Sequence, residues 1–126
     1  WLALGKSARA DRLPRIFYVN WFRKDEDGRF LWPGFGENSR VLEWVFRRCE
    51  GTGQAQESPI GRVPVPGAIN TEGLKLAPGA LEELLRVDPQ EWKAQLPQFR
   101  EHLAGFENLP DELREQLDAL AGRLGD

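Results

Sequence analysis

The sequence predicts a mostly helical α+β chain, and three observations support that fold class. Leucine-rich stripes at helical spacing fill residues 78–126. A β-branched and aromatic run at residues 16–19 is typical of a short strand. Between them, residues 51–77 are rich in glycine and proline and predict an irregular connection. The chain therefore divides into a strand–loop–helix part at 1–50, the connection, and a helical part at 78–126.

Composition limits the classes of protein to which the chain can belong. Its 126 residues suit one ordinary domain, and 40% hydrophobic with 29% charged residues is typical of a globular protein. No apolar run approaches the roughly 18 residues that a membrane-spanning helix needs. The net charge of −3 argues against a general nucleic-acid binder. The single cysteine, Cys49, excludes an internal disulfide and fits a reducing compartment, so we expect a cytoplasmic protein. From the apolar runs and the net charge we expect neither a membrane nor a nucleic acid as a partner.

The chain opens with Trp1 and further apolar residues rather than with methionine, and we expect it to be a piece of a longer protein. Residues 1–10 are typical of the end of an amphipathic helix, with Lys6 and Arg9 in the last turn, where cations favour the helix dipole. The strand at 16–19 is apolar throughout. This predicts burial on both faces, as in an inner strand of a sheet whose other strands are mostly absent.

The aromatic segment, residues 17–46, holds nine of the 13 aromatic residues, where even scattering would place about three. Glycine, proline and asparagine interrupt it, which favours a shaped loop over a continuous helix or strand. Residues 25–28 predict a turn, and residues 30–32 predict a brief extended segment before a corner at 33–34. Such a loop could bind a flat ligand; a hydrophobic core is the competing interpretation.

A helix is predicted at residues 39–50. Asn38 suits its N-cap, Gly51 suits its C-terminal end, and the expected buried face consists of Val41, Leu42, Val45 and Phe46. A polar and mobile surface loop is predicted for residues 51–59, followed by an extended, irregular stretch to residue 76.

Three helices are predicted in the C-terminal part. The first spans residues 78–87, and the second begins after an Asp88 cap, with Pro97 expected to kink or split it. Its apolar stripe consists of Trp92, Leu96, Phe99, Leu103 and Phe106. The stripe of the third helix consists of Leu109, Leu113, Leu117, Leu120 and Leu124. Such stripes predict packing faces rather than cofactor sites.

The residues supply neither a catalytic set nor a metal site. The glycine run at 34–40 lacks the GxxxxGK[ST] pattern of a phosphate loop, although it leads into a helix N-terminus. His102 has no partner set for zinc binding or a catalytic triad, and Cys49 lies at a helix C-terminus, which does not favour a thiolate. The acidic run at 25–27 lacks EF-hand spacing and predicts a solvated turn.

Three phenylalanines of the aromatic segment could converge on a planar base: Phe22, Phe30 and Phe35. Stacking binds any base, because every base has a π-face. Discrimination between bases needs hydrogen-bond donors and acceptors at the ligand edge, and the amide of Asn38 carries both. These four residues define a candidate ligand site.

Residues 14–46 resemble the guanine-binding region of the GTP-dependent phosphoenolpyruvate carboxykinases. The similarity rests on VNWFRKD at 19–25 and FLWPGFGENSRVLEW at 30–44. Residues 58–61 and the leucine-rich helices after them are similar to the C-terminal end of that family. The resemblance implies that the chain is about the last fifth of such an enzyme and the C-terminal part of a larger α/β nucleotide-binding domain.

The resemblance also implies roles for individual residues. Phe22 and Phe35 would sandwich the guanine, Phe30 would contact it, and Asn38 would bind its edge. The backbone of Gly36 and Glu37 would also contact the base, which makes six contact residues. Trp21 and Trp32 would support the pocket.

The family interconverts oxaloacetate and GTP with phosphoenolpyruvate, carbon dioxide and GDP, in gluconeogenic or anaplerotic metabolism. The resemblance implies manganese or magnesium as cofactor, with its ligands outside this chain. We therefore expect no catalytic residue here and no turnover by this piece alone. The expected partners are a guanine nucleotide and the upstream chain of a monomeric parent.

A non-enzymatic helical interaction module is the alternative function. In that case the aromatic segment is a core, and the leucine stripes meet a partner protein. The substitution Phe22→Ala separates the two readings, because a pocket residue would lose ligand binding, whereas a core residue would cost about 3–5 kcal/mol of stability.

Overall fold

The computed structural model of the protein describes residues 1–7 and 9–125. Over these residues the chain forms helices and one small sheet, which confirms an α+β arrangement, about half of it helical. The architecture of a larger parent domain stays a prediction. The helices are α1 (Leu2–Ser7), α2 (Asn38–Glu50), α3 (Ala80–Leu85), α4 (Pro89–Ala104) and α5 (Asp111–Leu124). The strands are β1 (Ala55–Ser58) and β2 (Gly61–Pro64), and single 3₁₀ turns lie at Ala10–Arg12 and Phe35–Glu37.

Helices α4 and α5 pack on each other around a buried cluster. Leu96 of α4 and Ala121 and Leu124 of α5 are at its centre. The half-buried side chains packed against them are Trp92, Phe99, Leu117 and Leu120. The first three residues of the α4 stripe and the last three of the α5 stripe are therefore confirmed as a packing face. Phe106 and Leu113, near the turn from α4 to α5, are exposed.

The start of α4 is as predicted, and its interior is not split. The Asp88 carboxylate accepts hydrogen bonds from the backbone N–H groups of Gln90, at 2.8 Å, and Glu91, at 3.4 Å. This is an N-cap, as the sequence indicates. Pro97 lies inside a single helix of 16 residues. Pro97 has no backbone N–H, so the helix continues through it with one hydrogen bond fewer.

Helix α2 has the predicted end but a different start and a different buried face. Gly51 follows it in the left-handed conformation, with its N–H bonded to the carbonyls of Arg47 and Arg48. Asn38 is the first helical residue rather than the N-cap. Trp44 is buried, and Phe17 packs edge-on against it with ring centroids 6.0 Å apart. The predicted burial of Leu42 and Phe46 is wrong, since both are exposed.

The strand expected at residues 16–19 does not form. Ile16 and Tyr18 are exposed, whereas Phe17 and Val19 are half-buried. Burial of both faces by strands outside this chain stays a prediction. A strand requires a hydrogen-bonded neighbour, and within the described residues the only sheet is the pair β1–β2. The contact of Phe17 with Trp44 holds this segment against α2 instead.

The connection at residues 51–77 contains a β-hairpin that the sequence analysis missed. Strands β1 and β2 pair antiparallel, with Ser58 opposite Gly61. The turn is held from α5, because the Arg123 guanidinium donates to the carbonyl of Pro59 at 2.7 Å. The loop before β1 is held from α2, because the Trp44 indole donates to the carbonyl of Gln54 at 2.9 Å. The prediction of irregular structure is therefore wrong for residues 55–58 and 61–64, which form strands, whereas the mobility of residues 51–59 stays a prediction.

Helices α1 and α3 lie where they were predicted. Helix α3 spans Ala80–Leu85 and is shorter than the predicted 78–87. Within the predicted 1–10, the described residues form a helix over Leu2–Ser7, and residue 8 lies outside the described residues. Among the described helices, none combines the length and the apolar character needed to cross a bilayer.

Candidate functional site

A tight hairpin at residues 22–31 forms the first half of the candidate site. The carbonyl of Arg23 accepts the N–H of Leu31 at 3.0 Å. One step further, Lys24 and Phe30 form an isolated antiparallel bridge. Antiparallel pairing places each residue of one arm opposite a residue of the other arm. Residues at the open end of the hairpin therefore lie side by side, although they are apart in the sequence.

Asp25 closes this hairpin at the turn that the sequence predicts. Its carboxylate accepts the backbone N–H of Arg29 at 2.8 Å and the Arg29 Nε at 3.1 Å. The hydrogen bond from the Arg29 backbone lowers the pKa of the Asp25 carboxyl below its ordinary value. Gly28 has a φ of 78°, a conformation that a side chain would strain. The acidic run therefore stabilises a turn.

The hairpin places Phe22 beside Phe30. Their ring centroids are 6.3 Å apart in an edge-to-face arrangement, and the Lys24 ammonium lies 4.9 Å from the centroid of Phe30. Yet both rings face solvent, with 72% of Phe22 and 57% of Phe30 exposed. These two phenylalanines form an aromatic surface rather than a core.

Phe35 lies on the other side of a sharp corner. Gly34 has a φ of 109°, a backbone conformation accessible to glycine, and the 3₁₀ turn Phe35–Glu37 follows it directly. Phe35 is 94% exposed. In the part of the chain that the structure describes, no ring contact joins it to Phe22 or Phe30. The sandwich of a base between Phe22 and Phe35 therefore stays a prediction.

Trp32 and Asn38 are joined by a hydrogen bond. The indole Nε1 of Trp32 donates to Oδ1 of Asn38 at 2.9 Å, and Trp32 is 5% exposed. The predicted capping role of the Asn38 side chain is wrong, because its oxygen accepts this indole proton instead. Trp21, the second predicted supporting residue, is half-buried.

Glu37 connects the site to the loop after β2. Its carboxylate accepts from Nε of Arg40 at 2.6 Å, and Arg40 also donates to the carbonyl of Asn70 at 3.0 Å. A cleft of about 450 Å³ lies between α2 and residues 67–72. None of the eight predicted site residues lines this cleft, so the cleft and the predicted base site are different places.

Arg23 is a positioning residue that the sequence analysis missed. Its guanidinium donates to the carbonyls of Leu84, at 3.3 Å, and Arg86, at 3.1 Å, and to the Glu83 carboxylate at 2.9 Å. A cation at the C-terminal end of a helix is favourable, so Arg23 fastens the hairpin to the end of α3. No local pattern could show this, because the partners are 60 or more residues away.

Other chemistry is not assembled in the described residues. No group of three or more histidine, cysteine, aspartate and glutamate side chains there is arranged to hold a metal ion. His102 is an exposed residue whose ring contacts Phe106 edge-on at 5.3 Å, as expected for a surface histidine. Cys49 is exposed.

Comparison with known proteins gives a consistent result. Residues 1–123 match the family model described as the phosphoenolpyruvate carboxykinase C-terminal P-loop domain. Proteins named phosphoenolpyruvate carboxykinase [GTP] from Treponema pallidum (strain Nichols) and Paenarthrobacter aurescens (strain TC1) are 52% and 48% identical over 126 residues, covering 98% and 99% of this chain. The mitochondrial enzyme of that name from Mus musculus is 47% identical over 98% of the chain.

These relatives are much longer than the chain, which covers 20%, 21% and 19% of them respectively. The chain thus spans about a fifth of the length of the curated relatives that it matches. The match nevertheless runs through the hairpin, the Phe35–Glu37 turn and all five helices. This chain belongs to the GTP-dependent phosphoenolpyruvate carboxykinase family.

Proposed function

We propose that this chain is the guanine-binding part of an enzyme that converts oxaloacetate and GTP to phosphoenolpyruvate, carbon dioxide and GDP. The observation that carries the proposal is the exposure of Phe22, Phe30 and Phe35 in one short segment. Phenylalanine is among the residues most often buried, and the largest apolar patches on a protein surface often mark ligand or partner sites. The names of the relatives supply GTP as the nucleotide.

Each part of the site has a role in this proposal. Phe22 and Phe35 stack on the two faces of guanine and Phe30 contacts it, at about 1–3 kcal/mol per stacked base. Asn38 bonds to the polar edge of the base. The remaining members are the backbone of Gly36 and Glu37, which complete the wall, and Trp21 and Trp32, which support it. The fixed hairpin and the Gly34 corner support this assignment, because both hold their phenylalanines on ordered backbone.

The other parts of the reaction are assigned to the remainder of the protein. The glycine run at 34–40 has no phosphate-loop pattern, and no residue of this chain is given a catalytic role. Manganese or magnesium would neutralise charge on the transferred phosphoryl group when bound, and its ligands are expected upstream. The chain alone should therefore show no carboxykinase activity.

The upstream chain is also the proposed structural partner. Ile16 and Tyr18 are exposed beside the half-buried Phe17 and Val19, and such an uncovered apolar edge suits pairing with a strand that lies outside this chain. A monomeric parent and a cytoplasmic location stay predictions, and the relative from Mus musculus is named mitochondrial.

The alternative function, an interaction module with an aromatic core, is less well supported. A core role requires Phe22, Phe30 and Phe35 to be buried, and each is more than half exposed. Only Trp32 and Trp44 of the aromatic segment are buried among the described residues.

The test compares Phe22→Ala with Phe106→Ala in the intact protein. Both rings are at least half exposed and each makes one edge-to-face contact, but Phe106 lies at the end of α4, outside the proposed site. Calorimetric titration with GDP should show a tenfold to hundredfold loss of affinity for Phe22→Ala, on the order expected for one stacked ring. The Phe106→Ala affinity should stay within about twofold of wild type, because its ring touches no part of the site.

Thermal unfolding provides the second readout. Phe22→Ala should change stability by less than about 0.5 kcal/mol, because an exposed ring contributes little to folding. Unchanged GDP affinity in Phe22→Ala would remove the ring from the site, and a loss of several kcal/mol in stability would restore the core interpretation. Wild-type protein that binds ADP as tightly as GDP would contradict the guanine assignment.

A further inference from the structure

We infer that Trp32 sets the preference of this site for a purine with an oxygen at C6, by fixing the orientation of the Asn38 side-chain amide. The inference rests on the proposed function, because it takes a nucleotide base as the ligand of Asn38. Trp32 is thus a positioning residue that acts through its neighbour.

The indole of Trp32 allows only one orientation of the amide. An indole N–H is a donor and never an acceptor, and at 5% exposure it needs a partner within the protein. The partner is Oδ1 of Asn38 at 2.9 Å. A half-turn of the amide would bring Nδ2 against the indole and set donor against donor, leaving the buried N–H without an acceptor.

Both residues are held in place by the local fold. Asn38 is the first residue of α2, with φ −62° and ψ −26°, and its backbone N–H donates to the carbonyl of Phe35. Trp32 is buried before the Gly34 corner. With a buried ring on one side and a helix start on the other, the amide is presented in a fixed orientation.

The consequence is chemical. Since Oδ1 points to the indole, the NH₂ group of Asn38 is directed away from it and donates to whatever binds there. Guanine and hypoxanthine carry a carbonyl oxygen at C6, which accepts such a bond, whereas adenine carries an amino group at C6, which does not. A site that leaves polar groups unpaired rejects the wrong ligand strongly. The direction of one amide therefore distinguishes 6-oxopurines from 6-aminopurines.

Trp32→Phe removes the indole N–H and keeps an aromatic ring. Trp44→Phe is the matched control, because Trp44 is also buried, at 7% exposure, and its indole also donates one 2.9 Å hydrogen bond, but to the backbone carbonyl of Gln54. The dissociation constants of GDP, IDP and ADP for the intact protein are measured by calorimetric titration. IDP carries hypoxanthine, which has the C6 oxygen without the 2-amino group of guanine.

The expected pattern separates orientation from stability. Wild type should bind GDP and IDP within a few-fold of each other and ADP more weakly. In Trp32→Phe the ratio of ADP to GDP dissociation constants should fall about tenfold, since the amide is then free to turn. In Trp44→Phe the ratio should stay at the wild-type value, even where stability is lost.

Asn38→Asp tests the same inference without removing a buried ring. A carboxylate still accepts from Trp32 and suits a helix N-terminus, but it offers the ligand only acceptors. GDP and IDP affinity should fall and the preference for GDP over ADP should shrink or reverse. Because the two carboxylate oxygens are equivalent, adding Trp32→Phe to Asn38→Asp should not change the ratio of ADP to GDP dissociation constants further. Such non-additivity indicates that the two residues act through one interaction.

Three results would overturn the inference while leaving guanine binding intact. They are an unchanged GDP preference in folded Trp32→Phe, an equal change in Trp44→Phe, and wild-type rejection of IDP as strong as that of ADP. If Trp32→Phe does not fold, an unchanged GDP preference in Asn38→Asp overturns it instead. Wild type that binds no guanine nucleotide would remove the proposed function, and this inference with it.

Discussion

The aromatic segment at residues 17–46 and the helix pair α4–α5 use large apolar side chains in opposite ways. In the pair, Leu96, Ala121 and Leu124 are buried between the helices. In the segment, Phe22 and Phe35 are largely exposed. Because full burial of a large apolar side chain contributes about 1.5–3 kcal/mol, the helix pair stabilises the fold, and the exposed phenylalanines contribute little to it. Apolar content alone therefore does not locate the core of this chain. Helical spacing locates it in α4 and α5, but not in α2, where half of the predicted apolar face is exposed.

The strongest test of this comparison is Leu96→Ala. Leu96 is the most deeply buried side chain described, so its truncation should lower the local stability of α4 and α5 by about 2–5 kcal/mol. Hydrogen exchange at the amides of the two helices in the intact protein measures this loss. Phe35→Ala is the control from the other region and should change that protection by less than about 0.5 kcal/mol. Comparable losses for both variants would break the comparison.

The elements predicted well from the sequence are those that local spacing and end signals define. The stripe around Leu96 predicts its own buried face, because residues three and four apart share one side of a helix. Asp88 and Gly51 mark a helix start and a helix end as expected. Errors arise where a distant partner decides the outcome. In α2 the buried residue is Trp44, which contacts Phe17 from outside the helix, whereas Phe46 of the predicted apolar face is exposed.

The candidate site shows the same division. Its members lie close together in the sequence, within residues 21–38, so the segment and its aromatic residues can be chosen from the sequence alone. The hydrogen bond from Trp32 to Asn38 requires coordinates, since the sequence favours Asn38 as a helix cap. The anchoring of the hairpin by Arg23 requires them too, because α3 is distant along the chain.

Arg23→Ala sharpens the comparison by testing whether the two regions are coupled. Its guanidinium is the link from the aromatic hairpin to α3, so its loss should lower the local stability of the hairpin and α3 by about 1–2 kcal/mol. GDP affinity should fall a few-fold, because the hairpin that carries Phe22 is less firmly held. Hydrogen exchange and calorimetric titration measure the two effects.

Arg23→Lys is the matched control for that link. Lysine keeps the charge but has no planar fork to reach two carbonyls and a carboxylate together. It should therefore recover only part of the lost stability. Full recovery would mean that charge alone holds the hairpin, and unchanged GDP affinity in Arg23→Ala would mean that the base site does not depend on α3.

The smallest expected effect is on hydrogen exchange at the start of α4, where the Asp88 cap and the packing of α4 on α5 both stabilise the helix. The backbone N–H of Gln90 donates to the Asp88 carboxylate and is the largest cause that lowers the pKa of this carboxyl; the N–H of Glu91 and the charge of Arg86 act in the same direction. A carboxyl whose pKa is lower in the folded state stabilises fully above its unfolded pKa. This stabilisation is lost as the pH falls through the folded pKa, below about pH 4.

Exchange rates of the Gln90 and Glu91 amides, corrected for their intrinsic pH dependence, should therefore rise on the order of fivefold in this acid range. Asn at position 88 caps a helix about as well but does not titrate, so Asp88→Asn should remove this pH dependence and keep most of the protection at pH 7. The Leu96 amide, in the packed centre of α4, should change less in the same range. If Asp88→Asn keeps the acid-dependent loss, another carboxylate causes it. Glu83 is then the next group to replace, because it pairs with Arg86 at 2.9 Å and the hydrogen bond from Arg86 lowers its pKa.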